Sequence, residues 1–313
     1  MTRKPVIVVG GPTASGKSSV ALAIAEAFNG SIINADSMQI YNGLGIVTAR
    51  PDKSALARVP HELYGLFGND RRCSAGEWRD LALDAINRIN DVNRVPILVG
   101  GTGLYLRALM TGFHRMPAVA SEIRTALNER LKREGADVLH TELMSSDPVT
   151  ASRLHRSDGQ RIVRALEVFA ASGKPLSAWQ SGQTEAAPEN LRFLTVLSLP
   201  DREELYERIN SRFENMLESG AIEEVESFIS ADPQVDHPLW KAVGVLPIST
   251  FLKGEIDRNH MIERGKRDTR RYAKRQMTWF RHQIIPDLSI SEQYSKKIET
   301  KIFSKISNFL LTG

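Results

Sequence analysis

The run Gly11-Pro12-Thr13-Ala14-Ser15-Gly16-Lys17-Ser18 follows directly on the apolar stretch Val6-Ile7-Val8-Val9. It is a G-x-x-x-x-G-K-S phosphate-binding loop in the setting this loop needs, a short strand before it and a helix-forming run after it. Its glycines let the chain curl so that successive N–H groups point inward, and the helix N-terminus adds partial positive charge. Lys17 reaches a terminal phosphate, and the Ser18 hydroxyl is placed to ligate a magnesium ion held between phosphate oxygens. A di- or triphosphate is the expected ligand.

Strands and helices alternate around this loop. Residues 19–28 read as a helix, 31–35 as a second strand ending on Asp36, and residues around 78–89 as another helix. A third strand, 95–99, runs into Gly100-Gly101-Thr102-Gly103. This alternation predicts an α/β fold: a P-loop NTPase-like parallel sheet flanked by helices. Ligands of such sheets sit beyond the carboxyl ends of the strands, which places the phosphate loop, Asp36 and Thr102 along one rim. Strand signals then vanish, and Ile123, Leu127, Leu131, Ile162, Val163, Leu166 and Phe169 recur at helical spacing. An inserted all-helical domain is expected over 113–190, with 1–112 and 191–313 forming the core. Residues 193–199 resume the sheet. Helices follow over 203–217, 222–229 and 264–283, with an apolar stripe (Ile298, Ile302, Phe303, Ile306, Phe309, Leu310) in the tail.

The chain has 313 residues, enough for two cores, and one cysteine, Cys73, which excludes a disulfide framework. No apolar run is long enough to span a bilayer. A cytoplasmic, monomeric protein with no membrane partner is expected. The net charge of +4 is mild, but Arg264, Lys266, Arg267, Arg270, Arg271, Lys274, Arg275 and Arg281 crowd one stretch, with Asp268 its only acid. Tyr272 and Trp279 are interleaved there. Basic side chains neutralise phosphates and aromatics stack on unpaired bases, although a solvated helix face explains the same run equally well.

Asp36, at the end of the strand beside the phosphate loop, is a candidate general base; an Asp that merely caps a turn is the plain alternative. Thr102 can donate to a phosphate oxygen. No apolar strand ends in the acid that a motor-type ATPase uses to hold magnesium, which argues against ATP hydrolysis as the purpose. Arg161 and Arg164 share a helix face and could clamp phosphates, but pairing with Asp158 and Glu167 is the simpler expectation.

Taken together, the phosphate loop, Asp36-Ser37-Met38-Gln39-Ile40-Tyr41, Thr48-Ala49-Arg50-Pro51, Val59-Pro60-His61, the segment 96–106 and Tyr272-Ala273-Lys274-Arg275-Gln276-Met277-Thr278-Trp279-Phe280-Arg281 closely resemble the tRNA dimethylallyltransferase (tRNA isopentenyltransferase) family of bacterial type. Asp147 to Arg153 and Gln160 to Glu167 add to the match. The resemblance implies transfer of a dimethylallyl group from dimethylallyl diphosphate to N6 of the adenosine just 3′ of the anticodon (tRNA position 37), in tRNAs reading codons that start with U. It implies that residues 11–18 and Arg212 hold the diphosphate with Mg2+ on Ser18. In the same way it makes Lys17, Asp36 and Thr102 catalytic, with Asp36 taking the N6 proton and Thr102 supporting the departing diphosphate. Contacts to the tRNA anticodon stem-loop would come from Asp36, Ser37, Met38, Gln39, Thr102, Arg124, Gln160, Arg161, Ile162, Val163, Arg164, Lys274, Arg275, Gln276, Trp279 and Arg281. Glu62, Val245, Gly159, Arg50 and residues 42–47 depart from the usual family pattern; none belongs to the phosphate loop, Asp36 or Thr102. Rival readings are an adenylate dimethylallyltransferase acting on free AMP, ADP or ATP, a small-metabolite kinase, and a non-catalytic RNA-binding protein.

Overall fold

The computed structural model describes residues 3–68, 71–182, 184–234, 237–292 and 295–312. Strands are β1 (Lys4–Gly10), β2 (Gly30–Asn34), β3 (His61–Glu62), β4 (Val95–Gly100), β5 (Leu191–Ser198) and β6 (Leu288–Ile290). Helices are α1 (Lys17–Ala27), α2 (Lys53–Arg58), α3 (Ala75–Asp91), α4 (Gly103–Thr111), α5 (Ser121–Glu134), α6 (Ala136–Ser146), α7 (Pro148–Arg153), α8 (Gly159–Ser172), α9 (Leu176–Gln180), α10 (Arg202–Glu218), α11 (Ala221–Ser230), α12 (Val245–Leu252), α13 (Arg258–Gln283) and α14 (Lys296–Leu311).

The chain divides into two compact units, Met1–Met110 with Pro188–Gly313, and Thr111–Ala187. In the first, among the described residues, six strands form one all-parallel sheet in the order β3-β2-β4-β1-β5-β6. The sheet is covered on both faces, as parallel sheets require. Successive side chains of β1 show why: Val6 and Val8 enter one core with α3, α4 and α10 to α13, whereas Ile7 and Val9 enter another with α1 and α14. The tail stripe is therefore core, its Ile298, Ile302 and Ile306 buried on the α1 side.

Strands β3 and β6 were not expected from the sequence. They span two and three residues, too short to show alternation, and they form by pairing with β2 and β5 at the two edges. The long basic helix begins at Arg258 rather than 264, where Asp257 accepts a hydrogen bond from His260 N as its N-cap.

The second unit is all helical, α5 to α9, around Leu127, Leu139, Leu143, Ile162, Val163, Ala165, Leu166 and Val168. Its α7 starts on a cap that the sequence Asp147-Pro148 announces: the Asp147 carboxylate accepts from Thr150 N and Oγ1 and also from Ser177 N.

Candidate active site

Four strand ends are tied together to make the rim. Beyond β1, the phosphate loop turns with Ala14 at φ 62° and Gly16 at φ 85°, left-handed positions that curl its amides into an anion-binding concavity. Ser198, ending β5, donates from Oγ to the Ser15 carbonyl at 2.7 Å. Beyond β2 the fully buried Asn34 shapes the next turn: its Oδ1 accepts from Asp36 N at 2.8 Å, while its Nδ2 donates to the carbonyls of Asp36 and Leu63. The ends of β2 and β4 run so close that a Cβ on Gly100 would lie 2.0 Å from the Ala35 carbonyl oxygen. Only glycine fits there.

Asp36 makes the turn-capping contact weighed from the sequence and leaves one carboxylate oxygen over. Its Oδ1 accepts from Met38 N at 2.9 Å and caps the turn, while Oδ2 has no hydrogen-bond partner among the described residues. Asp36 also borders a cavity of about 120 Å³ that opens on the phosphate loop. Thr13, Lys17, Ser18, Asp36 and Arg212 line it with charged and polar groups; Met38, Val47, Ile209, Phe213, Met216 and Val243 add apolar wall, interspersed with Gln39, Thr48, Lys241, Thr269 and Tyr272. Burial depresses the Lys17 ammonium to about 8, with the Asp36 carboxylate working against that fall and the Arg212 guanidinium adding to it. Arg212 donates from Nη2 to Thr13 Oγ1 at 2.6 Å. Lys17 Nζ donates to the Pro12 carbonyl at 3.0 Å.

The other predicted residues fall in several places. Thr102 does not line the cavity; its Oγ1 accepts from Ser37 N at 2.9 Å and donates to Ser37 Oγ at 3.2 Å, so it holds the Asp36–Ser37 turn. Gln39 donates to the carbonyls of Thr48 and Ala49 on the cavity lip. The stretch just before it, 42–47, is the one whose sequence is unusual, and Glu224 anchors it, its carboxylate accepting from the amides of Gly45, Ile46 and Val47 at 2.7–2.9 Å. In the helical unit Arg161 pairs with Asp158, and both Arg124 and Arg164 pair with Glu167. The simpler expectation for Arg161 and Arg164 holds. Ile162 and Val163 are buried in that unit's core, leaving Gln160 and Arg161 as the exposed members of the stretch.

Helix α13 splits its basic residues. Lys266 binds Glu214 and Glu263, Arg264 and Arg267 meet Asp268, and Arg270 donates to Asn210. Arg271, Lys274, Arg275 and Arg281 are exposed, with no carboxylate partner among the described residues. They lie at i, i+3, i+4 and i+10, one stripe of the helix.

Gln276 is on the opposite, buried face, and its side chain is engaged within the protein. Its Oε1 accepts from Thr13 N and its Nε2 donates to the Gly101 carbonyl, both at 2.9 Å. Three residues on, the Trp279 ring presses on Gly103, where a Cβ would lie 2.1 Å from it. The helical phase carried this signal: Thr269, Ala273, Gln276, Met277 and Phe280 share the buried face. Gln276→Leu fills the same space but strands the Thr13 amide and the Gly101 carbonyl. It is expected to cost roughly 1–3 kcal/mol, read as a lower urea midpoint at unchanged m-value.

A magnesium ion fits this site in one way. No group of three or more His, Cys, Asp or Glu able to hold a metal occurs among the described residues, so the protein alone supplies no cage. Ser18 lines the cavity and is exposed, which suits an ion that takes one or two protein oxygens and otherwise keeps substrate phosphates and water.

Comparison with known proteins agrees with this geometry. A family model described as IPP transferase matches residues 39–283. A tRNA dimethylallyltransferase of Rhodospirillum centenum is 46% identical over 281 residues, 90% of each chain. One of Sinorhizobium medicae is 47% identical over 278 residues, 89% of this chain and 91% of the relative. Among solved structures, the tRNA isopentenylpyrophosphate transferase of Bacillus halodurans superposes with a TM-score of 0.69 at 31% identity, covering 99% of this chain and 98% of its own. A eukaryotic dimethylallyltransferase acting on tRNA superposes with a TM-score of 0.71 at 28% identity, over 88% of this chain and 70% of its own. Matched along nine-tenths of its length by such relatives and over most of it by the family model, the chain belongs to the IPP transferase family.

Proposed function

We propose that this protein is a tRNA dimethylallyltransferase, transferring the dimethylallyl group of dimethylallyl diphosphate to N6 of the adenosine 3′-adjacent to the anticodon. The observation that carries this reading is the mixed lining of the cavity on the phosphate loop. Lys17 and Arg212 suit a diphosphate, and the apolar side chains of Met38, Val47, Ile209, Phe213 and Met216 suit a small hydrocarbon.

In the reaction the allylic C–O bond breaks and its electron pair stays with the diphosphate, while the N6 lone pair forms the new C–N bond. The N6 proton passes to Asp36 Oδ2, the oxygen left free by the turn. Charge gathers on the departing diphosphate, where the loop amides, Lys17 and Arg212 meet it. Mg2+ held through Ser18, when bound, supplies further neutralisation of that charge. Thr102 acts through Ser37 by fixing the turn that aims Asp36. Drawing the target base out of its stacked loop costs a few kcal/mol, which phosphate contacts from the free α13 stripe can offset.

The experiment is to incubate the protein with labelled dimethylallyl diphosphate and, in parallel, an unmodified anticodon stem-loop, AMP, or no acceptor. Label in the RNA is expected; label in AMP alone would assign the free-nucleotide reaction, and no transfer would return the site to a kinase or a binder. The triple substitution Arg271→Ala, Lys274→Ala, Arg275→Ala is expected to raise the KM for RNA and to flatten log K against log salt by about 2, three lost phosphate contacts. An unchanged slope would place the RNA elsewhere.

A further inference from the structure

Helix α10 gives the cavity both charged and apolar lining. Arg212 reaches the phosphate loop through Thr13, and Ile209, Phe213 and Met216, at i, i+4 and i+7, present one apolar face to the same space. The space is small. At about 120 Å³ it is on the scale of the roughly 150 Å³ apolar cavity that admits a benzene ring.

One wall of the cavity is the ring of Phe213, which also faces the core. Phe213 is 6% exposed and belongs to the large core that continues through Leu217, Val245, Ile248 and Met261. Its ring occupies room that two glycines leave open. A Cβ on Gly265 of α13 would lie 2.0 Å from Phe213 Cζ, and one on Gly244 would lie 3.5 Å from Cε2. Neither position has a side chain that could relax into the space if the ring were removed. Phe213 therefore stands between the cavity and the core, with Val47 beside it over Gly244.

We propose that Phe213 sets the length of the prenyl chain this protein accepts, stopping it at one isoprene unit. The inference rests on the cavity being the prenyl diphosphate site. The first isoprene unit beside the diphosphate fits against Met38, Val47 and Met216; a second would have to occupy the volume of the ring. Phe213→Ala removes the phenyl ring, whose six carbons outnumber the five of one isoprene unit. The vacated space is continuous with the cavity and walled by apolar side chains.

The test measures kcat/KM of wild type and Phe213→Ala for dimethylallyl diphosphate and for geranyl diphosphate, with an anticodon stem-loop as acceptor and the product identified by mass. Wild type is expected to prefer the dimethylallyl donor by about 100-fold or more, the scale on which a closed apolar pocket rejects an oversized group. In Phe213→Ala the two donors are expected to come within about tenfold of each other. A loss of stability lowers both activities together and leaves their ratio alone, so the ratio separates a specificity role from a structural one. If the alanine variant does not fold, as judged by its thermal melt, Phe213→Leu decides the matter, with a shift expected in the same direction. A wild-type enzyme active with the dimethylallyl donor, together with an unchanged ratio in the folded variant, overturns this inference alone. A wild type that transfers neither group overturns the function beneath it.

Discussion

Asp36→Asn is expected to lower kcat for transfer to an anticodon stem-loop by about 10²–10⁴-fold, the usual contribution of a positioned general base, while RNA affinity is retained. The substitution is informative because Asp36 has two functions that an amide separates. An asparagine Oδ1 can still accept from Met38 N, the bond that closes the turn at 2.9 Å, so the backbone carrying Ser37 and Met38 keeps its shape. What is lost is the proton acceptor at the second oxygen and the negative charge. The charge has its own readout. Asp36 holds the Lys17 ammonium up against burial, so its removal lowers the pH at which Lys17 discharges, and binding of inorganic diphosphate should weaken at lower pH than in wild type. Full turnover in Asp36→Asn would leave this carboxylate a turn cap and nothing more.

How much of this site the sequence displayed depended on how local each part is. The phosphate loop is contiguous, and its strand, loop and helix appear together in some twenty residues, so its place followed from spacing. Asp36 and Thr102 were found because each ends a strand, and parallel topology alone brings those ends to one rim. The apolar lining of the cavity was not legible. Ile209, Phe213 and Met216 carry the same periodicity as any core-facing helix, and only the packing of α10 beside the phosphate loop turns that face into a pocket wall. Gln276 is an intermediate case. It stands among basic residues and invites assignment to the RNA-facing stripe, yet its phase with Ala273, Met277 and Phe280 puts it inside. Glu224, which anchors the stretch just before the cavity lip, lies about 180 residues from the amides it binds, a pairing that no local pattern announces.

Lys17→Ala is expected to lower kcat by about 10²–10³-fold, the loss seen when one donor is removed from a developing oxyanion, and the pH dependence identifies the cause. In the free protein burial brings Lys17 down to about 8, and the neighbouring Arg212 guanidinium pushes the same way. The ammonium is thus fully formed below about pH 7 and discharges as pH rises through 8. Because kcat/KM reports ionisations of the free enzyme, it should fall above pH 8 for dimethylallyl diphosphate. The profile of kcat should fall at higher pH, since a bound diphosphate brings negative charge beside Nζ and stabilises its charged form. Lys17→Arg separates charge from titration: a guanidinium does not lose its proton in this range, so the descending limb near pH 8 should vanish even if the longer side chain costs activity. Should the limb persist in that variant, another group titrates there, and the lysine that faces the leaving diphosphate is not the one that sets the pH dependence of its capture.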